Sequence, residues 1–337
     1  MSEFKVMTWN LENLKGPGPK EDARLVALYQ EKLDGLKQVI SEVDPHVIAV
    51  QEVLDPKAFD DLAAKLDGCY SHKLLAAPDG RGIRVGFLSK LAFEEKEEIS
   101  IFPEESLKDV PGINGEGEPV KVKEFGRNAL RILVRPRQDF PINLIAVHLK
   151  SKLITYPIKN GRPRFAPGDE NERARAGGLA LLKRTAEAVA LRVKANQILI
   201  KKPHEALIIL GDCNDVASAA TTQILQGPSG SEVPDIDGSG NAHAFNAPDK
   251  GDAVRLFNLA ARIPRENRYS RINNGNKELI DHIFVSEEML PGRPRRLPIV
   301  DSRVHYMGGL DSVTDDPRER SGVPCSDHAP VMAVFEI

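Results

Sequence analysis

"EALIILGDCND", Glu205 to Asp215, decides how this chain is read. Ala206 to Leu210 are apolar without interruption, the mark of a strand buried on both faces. Gly211 breaks the run, and Asp212, Asn214 and Asp215 follow at once. A buried strand that delivers carboxylates and an amide at its end sets polar groups beside a core. Each would cost several kcal/mol to desolvate unless something offsets it.

The pattern recurs along the chain. "TWNLEN" carries Asn10 and Glu12, "AVQEV" carries Gln51 and Glu52, and "AVHLKS" carries His148. "LIDHIF" holds Asp281, and "CSDHAPVMAVFEI" sets Asp327 and His328 just before the last strand. Each has an ordinary reading when taken alone. Asn10 suits a turn, His148 a hydrogen-bonded core histidine, and "GDCND" the cap of a helix beginning near Ala217. Independent accidents do not explain the same arrangement at strand after strand. In open α/β proteins ligands bind in the crevice at the strand ends. A divalent cation there would offset the gathered carboxylates. Oxygen donors from Glu, Asp and Asn suit Mg²⁺ or Mn²⁺, with Ca²⁺ a third candidate, and no Cys or paired-His spacing favours zinc.

Around these ends, strand and helix signals alternate. Strands are expected at "FKVMTWN", "HVIAVQE", "IRVGFLS", "ALRILVRP", "INLIAVHLKS", "ALIILGD", "LIDHIFVS" and "PVMAVFEI". Leu25, Leu28, Leu33, Leu36, Val39, Ile40 and Val43 recur at helical spacing up to Pro45. A second helix is expected from Glu172 to Lys201, with Ala174, Leu181, Leu182, Thr185, Ala188 and Val189 on one face. Apolar strands interleaved with amphipathic helices predict an α/β fold whose sheets are covered by helices. No composition shift divides the 337 residues, so a single domain is expected, with surface insertions near 103–124, 152–172, 227–251 and 301–325.

Composition narrows the function class. Hydrophobic residues make up 41% and charged residues 28%, a soluble balance. No apolar run approaches the roughly 20 residues of a membrane span. The first residues lack the zones of a signal peptide, so a cytoplasmic location is expected of the sequence as given, unless a leader has been removed. The three cysteines, Cys69, Cys213 and Cys325, form no motif. A net charge of −3 excludes a polycation built to grip nucleic acid but leaves room for a local basic groove. Nothing here reads out oligomeric state.

These residues, in this order, resemble the endonuclease/exonuclease/phosphatase superfamily, the DNase-I-like fold. The matching pieces are "WNLEN", "VIAVQEV", "GRNALRILV", "IAVHLKS", "IILGDCND", "LIDHIFVS" and "SDHAPVMA", spanning Met7 to Val334. The resemblance implies a four-layer sandwich of two packed mixed β-sheets flanked by helices, with the site at one rim. It also implies metal-dependent hydrolysis of a phosphate ester. Asn10, Glu12 and Glu52 would hold the metal, with Asp327 close by. Asp212 and Asn214 would face the phosphorus. His328 would be oriented by Asp281, and His148 and Arg127 would touch the phosphate. Asp215, Cys213 and His282 are read as neighbours, because His282 should point away from the face that carries Asp281.

The superfamily's core motifs do not choose a substrate. Abasic-site endonucleases of the family carry a Tyr-Pro-Asn motif where this chain has "VHLKS", and inositol phosphatases a Cys-Asp-Arg element where it has "IDH". Lys150, Lys152, Lys159, Arg162, Arg164, Arg173 and Arg175 follow His148 and would line a basic rim along a phosphodiester backbone, although Asp169, Glu170 and Glu172 dilute the charge. Tyr156 and Phe165 are the aromatics of that stretch. The expectation is a sequence-tolerant nuclease acting on DNA or RNA. The alternative is a phosphatase or sphingomyelinase-like phospholipase acting on inositol phosphates or lipid headgroups.

Overall fold

The computed structural model describes residues 3–18, 22–152, 154, 156–159, 162–164, 166–226, 254–290, 299–304, 310–313 and 325–336. Two six-stranded mixed sheets form the centre. The first runs Ile299–Val304, Val331–Glu336, Glu3–Leu14, Val47–Val53, Arg84–Ser89, His72–Leu75. The second runs Leu256–Asn258, Asp281–Ser286, Ala206–Asp212, Phe140–His148, Glu124–Arg137, Glu95–Ile101.

Alternation along the strands sorts side chains into layers. Phe4, Val6, Val47 and Ala49 of the first sheet meet Leu144, Ala146, Ile208 and Leu210 of the second in one shared core. The other face of the first sheet, with Met7, Trp9, Ile48 and Val50, is covered by helices α1 (Ala23–Val43) and α2 (Pro56–Lys65). Ile145, Val147, Leu207 and Ile209 of the second sheet lie under α3 (Glu170–Lys201) and α4 (Ala220–Leu225). Helix, sheet, sheet, helix is the four-layer sandwich expected, and one core spans both sheets.

The helices depart from the expected faces. Asp22 caps α1, its side chain accepting from Leu25 N. The buried stripe is Tyr29, Leu33, Leu36, Val39, Ile40 and Val43, while Leu25 and Leu28 stay exposed. On α3 the face named from sequence holds at Ala188 but not at Leu181 and Leu182, which are exposed; the buried stripe also takes in Ala176, Ala180, Arg184, Glu187, Leu191, Ala195 and Ile198. A mostly alanine stripe lets the helix lie close on its sheet. Its two buried charges hid that face from an apolar-periodicity count. Both charges are used: Glu187 accepts from the backbone N–H of Gly126 and of Lys150, and Arg184 Nη1 donates to Lys150 O.

The insertions are partly structured. Residues 103–124 contain the hairpin Val110–Ile113/Pro119–Val122, and 152–172 contain Tyr156–Lys159/Arg162–Arg164. The first part of 301–325 belongs instead to the edge strand Ile299–Val304, which pairs with Val331–Glu336. Residues 227–251 lie outside the described residues.

The strand expected at "ALIILGD" is present as Ala206–Asp212 and runs through Gly211. The glycine is there because its φ is 151° and a Cβ would lie 2.0 Å from Val147 O. Neither strand can move without opening the sheet between Asp212 and His148. Gly211→Ala should therefore lower the thermal midpoint by roughly 5 °C or more, the size of a buried backbone clash. A melting curve within a degree of wild type would remove this explanation.

Candidate active site

Continued alternation carries Asn10, His148, Asp212 and Asp281 toward the space between the sheets, at one rim. In the second sheet Asp212 lies opposite His148 on one side and opposite Asp281 on the other, a lateral row across three strands. Their outward neighbour His282 faces away, bonding Asp215 O at 2.9 Å and Asn258, as the sequence predicted.

Glu52 reaches the site by a different route. Ile48 and Val50 face α1 and α2, so regular alternation would send Glu52 there too. Instead its φ is 60°, at an irregularity where the pairing shifts between Val50 and Val53. The side chain turns to the rim, where Oε1 accepts from Asn10 Nδ2 at 3.2 Å and Oε2 from Asn13 N at 3.1 Å. Glu12, Asn13 and Asn214 also have positive φ, at 44°, 51° and 53°. Such non-glycine backbone costs of order 1–3 kcal/mol per residue and collects at functional sites.

On the first-sheet side, Glu12, Glu52 and Asp327 form an acidic group. Burial, then the charge of Asp327, pushes the Glu12 carboxyl up to about 7, while Lys32, with Nζ 3.9 Å from Glu12 Oε2, pulls it the other way. These are oxygen donors short of positive charge, the donor set that a hard divalent cation fits. Asn10 spends both ends of its amide on the protein: Oδ1 accepts from Glu12 N at 3.0 Å, and Nδ2 donates to Glu52 and, at 3.1 Å, to Asp212. It ties the acidic group to the second sheet.

The second-sheet side carries the proton chemistry. His328 Nδ1 lies 2.7 Å from Asp281 Oδ2, which also accepts from Ser270 Oγ at 2.6 Å. Burial alone would hold the imidazole neutral, but Asp281, then Asp327, outweighs it and raises its pKa to about 10. His328 is thus an imidazolium at neutral pH. Asp212, Asp281 and His328 offer ligand atoms within 4.8 Å of one another. The close His328–Asp281 contact makes this a proton-bridged group, distinct from the acidic one. Burial and then Asp281 push Asp212 up to about 7, against the bond its Oδ1 accepts from Asn214 N at 2.8 Å. Burial and Arg127 hold His148 well below the usual imidazole range, so it is neutral. Its Nε2 sits 3.5 Å from Asp212 Oδ2 and 3.9 Å from Glu52 Oε1, and its buried Nδ1 has no partner among the described residues.

Arg127, expected on the phosphate, has a backbone-holding use as well. It is buried, with Nε donating to His148 O and Nη2 to Leu149 O, at 3.1 and 2.7 Å. It holds the strand end that presents His148. Arg127→Met should therefore cut kcat about tenfold or more, at about 1–3 kcal/mol per carbonyl left unsatisfied, with KM little changed. A rise in KM at unchanged kcat would return it to substrate contact.

Three cations of the basic rim have carboxylate partners. Lys152 lies near Asp215 and Glu278, Arg164 pairs with Glu172, and Arg173 with Glu170. Lys150 is pulled down to about 8 by burial and then by Arg127 and Arg81. The side chains of Lys159 and Arg162, and Phe165, lie outside the described residues.

Several supporting residues went unread in the sequence. Trp9 Nε1 donates to His328 O at 2.8 Å, Ser326 Oγ to Asn10 O at 2.7 Å, and Arg271 Nε lies 3.7 Å from Asp327 Oδ2. Ser326 adjoins the "DH" pair and was within reach of a local reading. Lys32 sits among the charges of α1 with no sequence signal, and Ser270 lies on a separate segment.

The model of the Endonuclease/Exonuclease/phosphatase family matches residues 7–328. No curated protein sequence matches the chain. Among solved structures, an endonuclease/exonuclease/phosphatase from Bacteroides vulgatus superimposes with a TM-score of 0.55 at 14% identity, over 100% of both chains. A humanized D. rerio TDP2 gives 0.54 at 16% identity, again over 100% of both. The human Nocturnin catalytic domain with bound sulfate gives 0.53 at 14%, over 99% of this chain and 94% of that one. At these identities the likeness is one of fold.

Proposed function

This chain belongs to the endonuclease/exonuclease/phosphatase family, a family of phosphoester hydrolases, and from that premise we propose that it is a divalent-metal-dependent phosphodiesterase, a sequence-tolerant nuclease acting on DNA or RNA backbones. The observation that carries the reading is the lateral row His148–Asp212–Asp281, closed by His328 and facing an acidic group across the rim. Glu12, Glu52 and Asp327, with Asn10 beside them, would hold Mg²⁺ or Mn²⁺. When bound, the cation offsets the charge of the phosphate, worth several kcal/mol in the transition state.

The chain's own groups supply the rest. Asp212, with a pKa of about 7, is suited to take a proton from the attacking water near neutral pH. Asn214 N–H keeps that carboxylate oriented. The His328 imidazolium, held by Asp281, donates to the phosphate oxygens as charge grows on them. Neutral His148 offers a ring N–H to the same oxygens. Of the two histidines, His328 is thus the charged one.

A second reading, hydrolysis of a small phosphodiester such as a lipid headgroup, is favoured by the pairing of Lys152, Arg164 and Arg173 with carboxylates. The two separate on salt. Purified protein is incubated with supercoiled plasmid, single-stranded DNA, RNA and sphingomyelin, with EDTA, Mg²⁺, Mn²⁺ or Ca²⁺, and His148→Ala controls for contamination. Metal-dependent nicking that falls steeply with salt and vanishes in the variant supports the nuclease. Headgroup release with weak salt dependence, and no nicking, sinks it and leaves the phosphodiesterase.

A further inference from the structure

Beyond the rim lies a cleft of about 250 Å³ that the chemistry described above does not use. Its walls are Pro111 and Ile113 of the first inserted hairpin, Ile154, and Leu179 of α3, with Lys150 and Lys183 also lining it. The two inserted hairpins are joined to each other, Ile158 N donating to Gly115 O at 2.8 Å, so the wall they build is braced. Lys150 connects cleft and site. It stands two residues beyond His148, its N–H is fixed by Glu187 and its carbonyl by Arg184, and its charge acts on His148.

We propose that this cleft binds an aromatic ring carried by the phosphate group, the ring lying between the Pro111–Ile113 hairpin and α3 and the phosphate meeting Lys150 at the end nearest His148. Three features select that occupant. At about 250 Å³ the cleft has room for a ring-sized group. The walls are branched aliphatic side chains and proline, which gain from covering a flat apolar face. Lys150 and Lys183 complement an anion attached to the ring. The proposal rests on the phosphodiesterase reading only for where the phosphate sits, and it narrows the substrates to phosphate esters with an aryl or nucleobase group beside the phosphorus.

The test is calorimetric titration of phenyl phosphate and of methyl phosphate into the Mg²⁺-supplemented protein. Phenyl phosphate should bind about tenfold tighter, the effect of burying one ring. Ile154→Trp fills the cleft from a loop and should bring the two affinities together. Ala180→Phe fills it from α3 and should do the same. Lys150→Met should weaken both ligands. Equal affinities in the wild type, or a preference that survives both filled-cleft variants, overturns the proposal. A phenyl preference in a protein that hydrolyses no phosphodiester upholds the cleft and overturns the hydrolytic reading. Hydrolysis without the preference does the reverse.

Discussion

Glu52→Ala is expected to lose about a thousandfold or more of metal-dependent hydrolysis, the scale of several kcal/mol of lost charge stabilisation. The variant should still fold, with a melting midpoint within a few degrees of wild type, since the carboxylate is a 21% exposed group at a rim rather than a core contact. Two causes act in the same direction. The cation loses a charged donor, and Asn10 loses one of the carboxylates its amide holds, so the link between the two sheets loosens. Calorimetry with Mg²⁺ should show weakened binding in parallel. Glu52→Gly serves as a backbone control. It keeps the φ of 60° without strain, so it should be as inactive as alanine and at least as stable. Wild-type turnover in either variant would remove Glu52 from the metal site.

His328→Ala should lower kcat by two to four orders of magnitude, about the reach of positioned proton donation together with charge stabilisation, with KM changed little. Asp281→Asn is predicted to act through the histidine and to show it in the pH profile. With Asp281 ionised, His328 carries its proton up to about pH 10, so activity falls on the alkaline side only as pH rises through that value. Without that charge the imidazole pKa drops toward its ordinary 6.5 and the alkaline limb moves down with it. The same sign governs stability. The folded-state pKa lies above the unfolded one, so the pair's contribution is complete below about 6.5 and is lost as pH rises toward about 10. Rate profiles of wild type and Asp281→Asn that superimpose would show that the pair does not act as described. A twofold loss in His328→Ala would take His328 out of the catalytic set.

Much of the site was legible because strand parity is a local property. Once Ile208 and Leu210 are known to face the core, Asp212 must follow them. Parity likewise separates Asp281 from His282. The α3 face was not legible, because buried Arg184 and Glu187 are satisfied by backbone groups of distant strands, and no periodicity reports such partners. The hold of Arg127 on the strand end of His148 was hidden for a similar reason. Its Nε and Nη2 bond the carbonyls of His148 and Leu149, a use that the letters "FGRNAL" do not report.

The sequence by itself determined the α/β layering, the family, and the residues that stand at the strand ends, because burial and alternation follow from nearest neighbours along a strand. Tertiary structure alone decided what those residues do to one another. It set His148, Asp212 and Asp281 in one row by strand pairing. It turned Glu52 out of its expected face through a left-handed residue, and it charged His328 while leaving His148 neutral. Protonation depends on which carboxylate or guanidinium lies within a few ångströms in a buried space, and that distance exists only once the two sheets have packed.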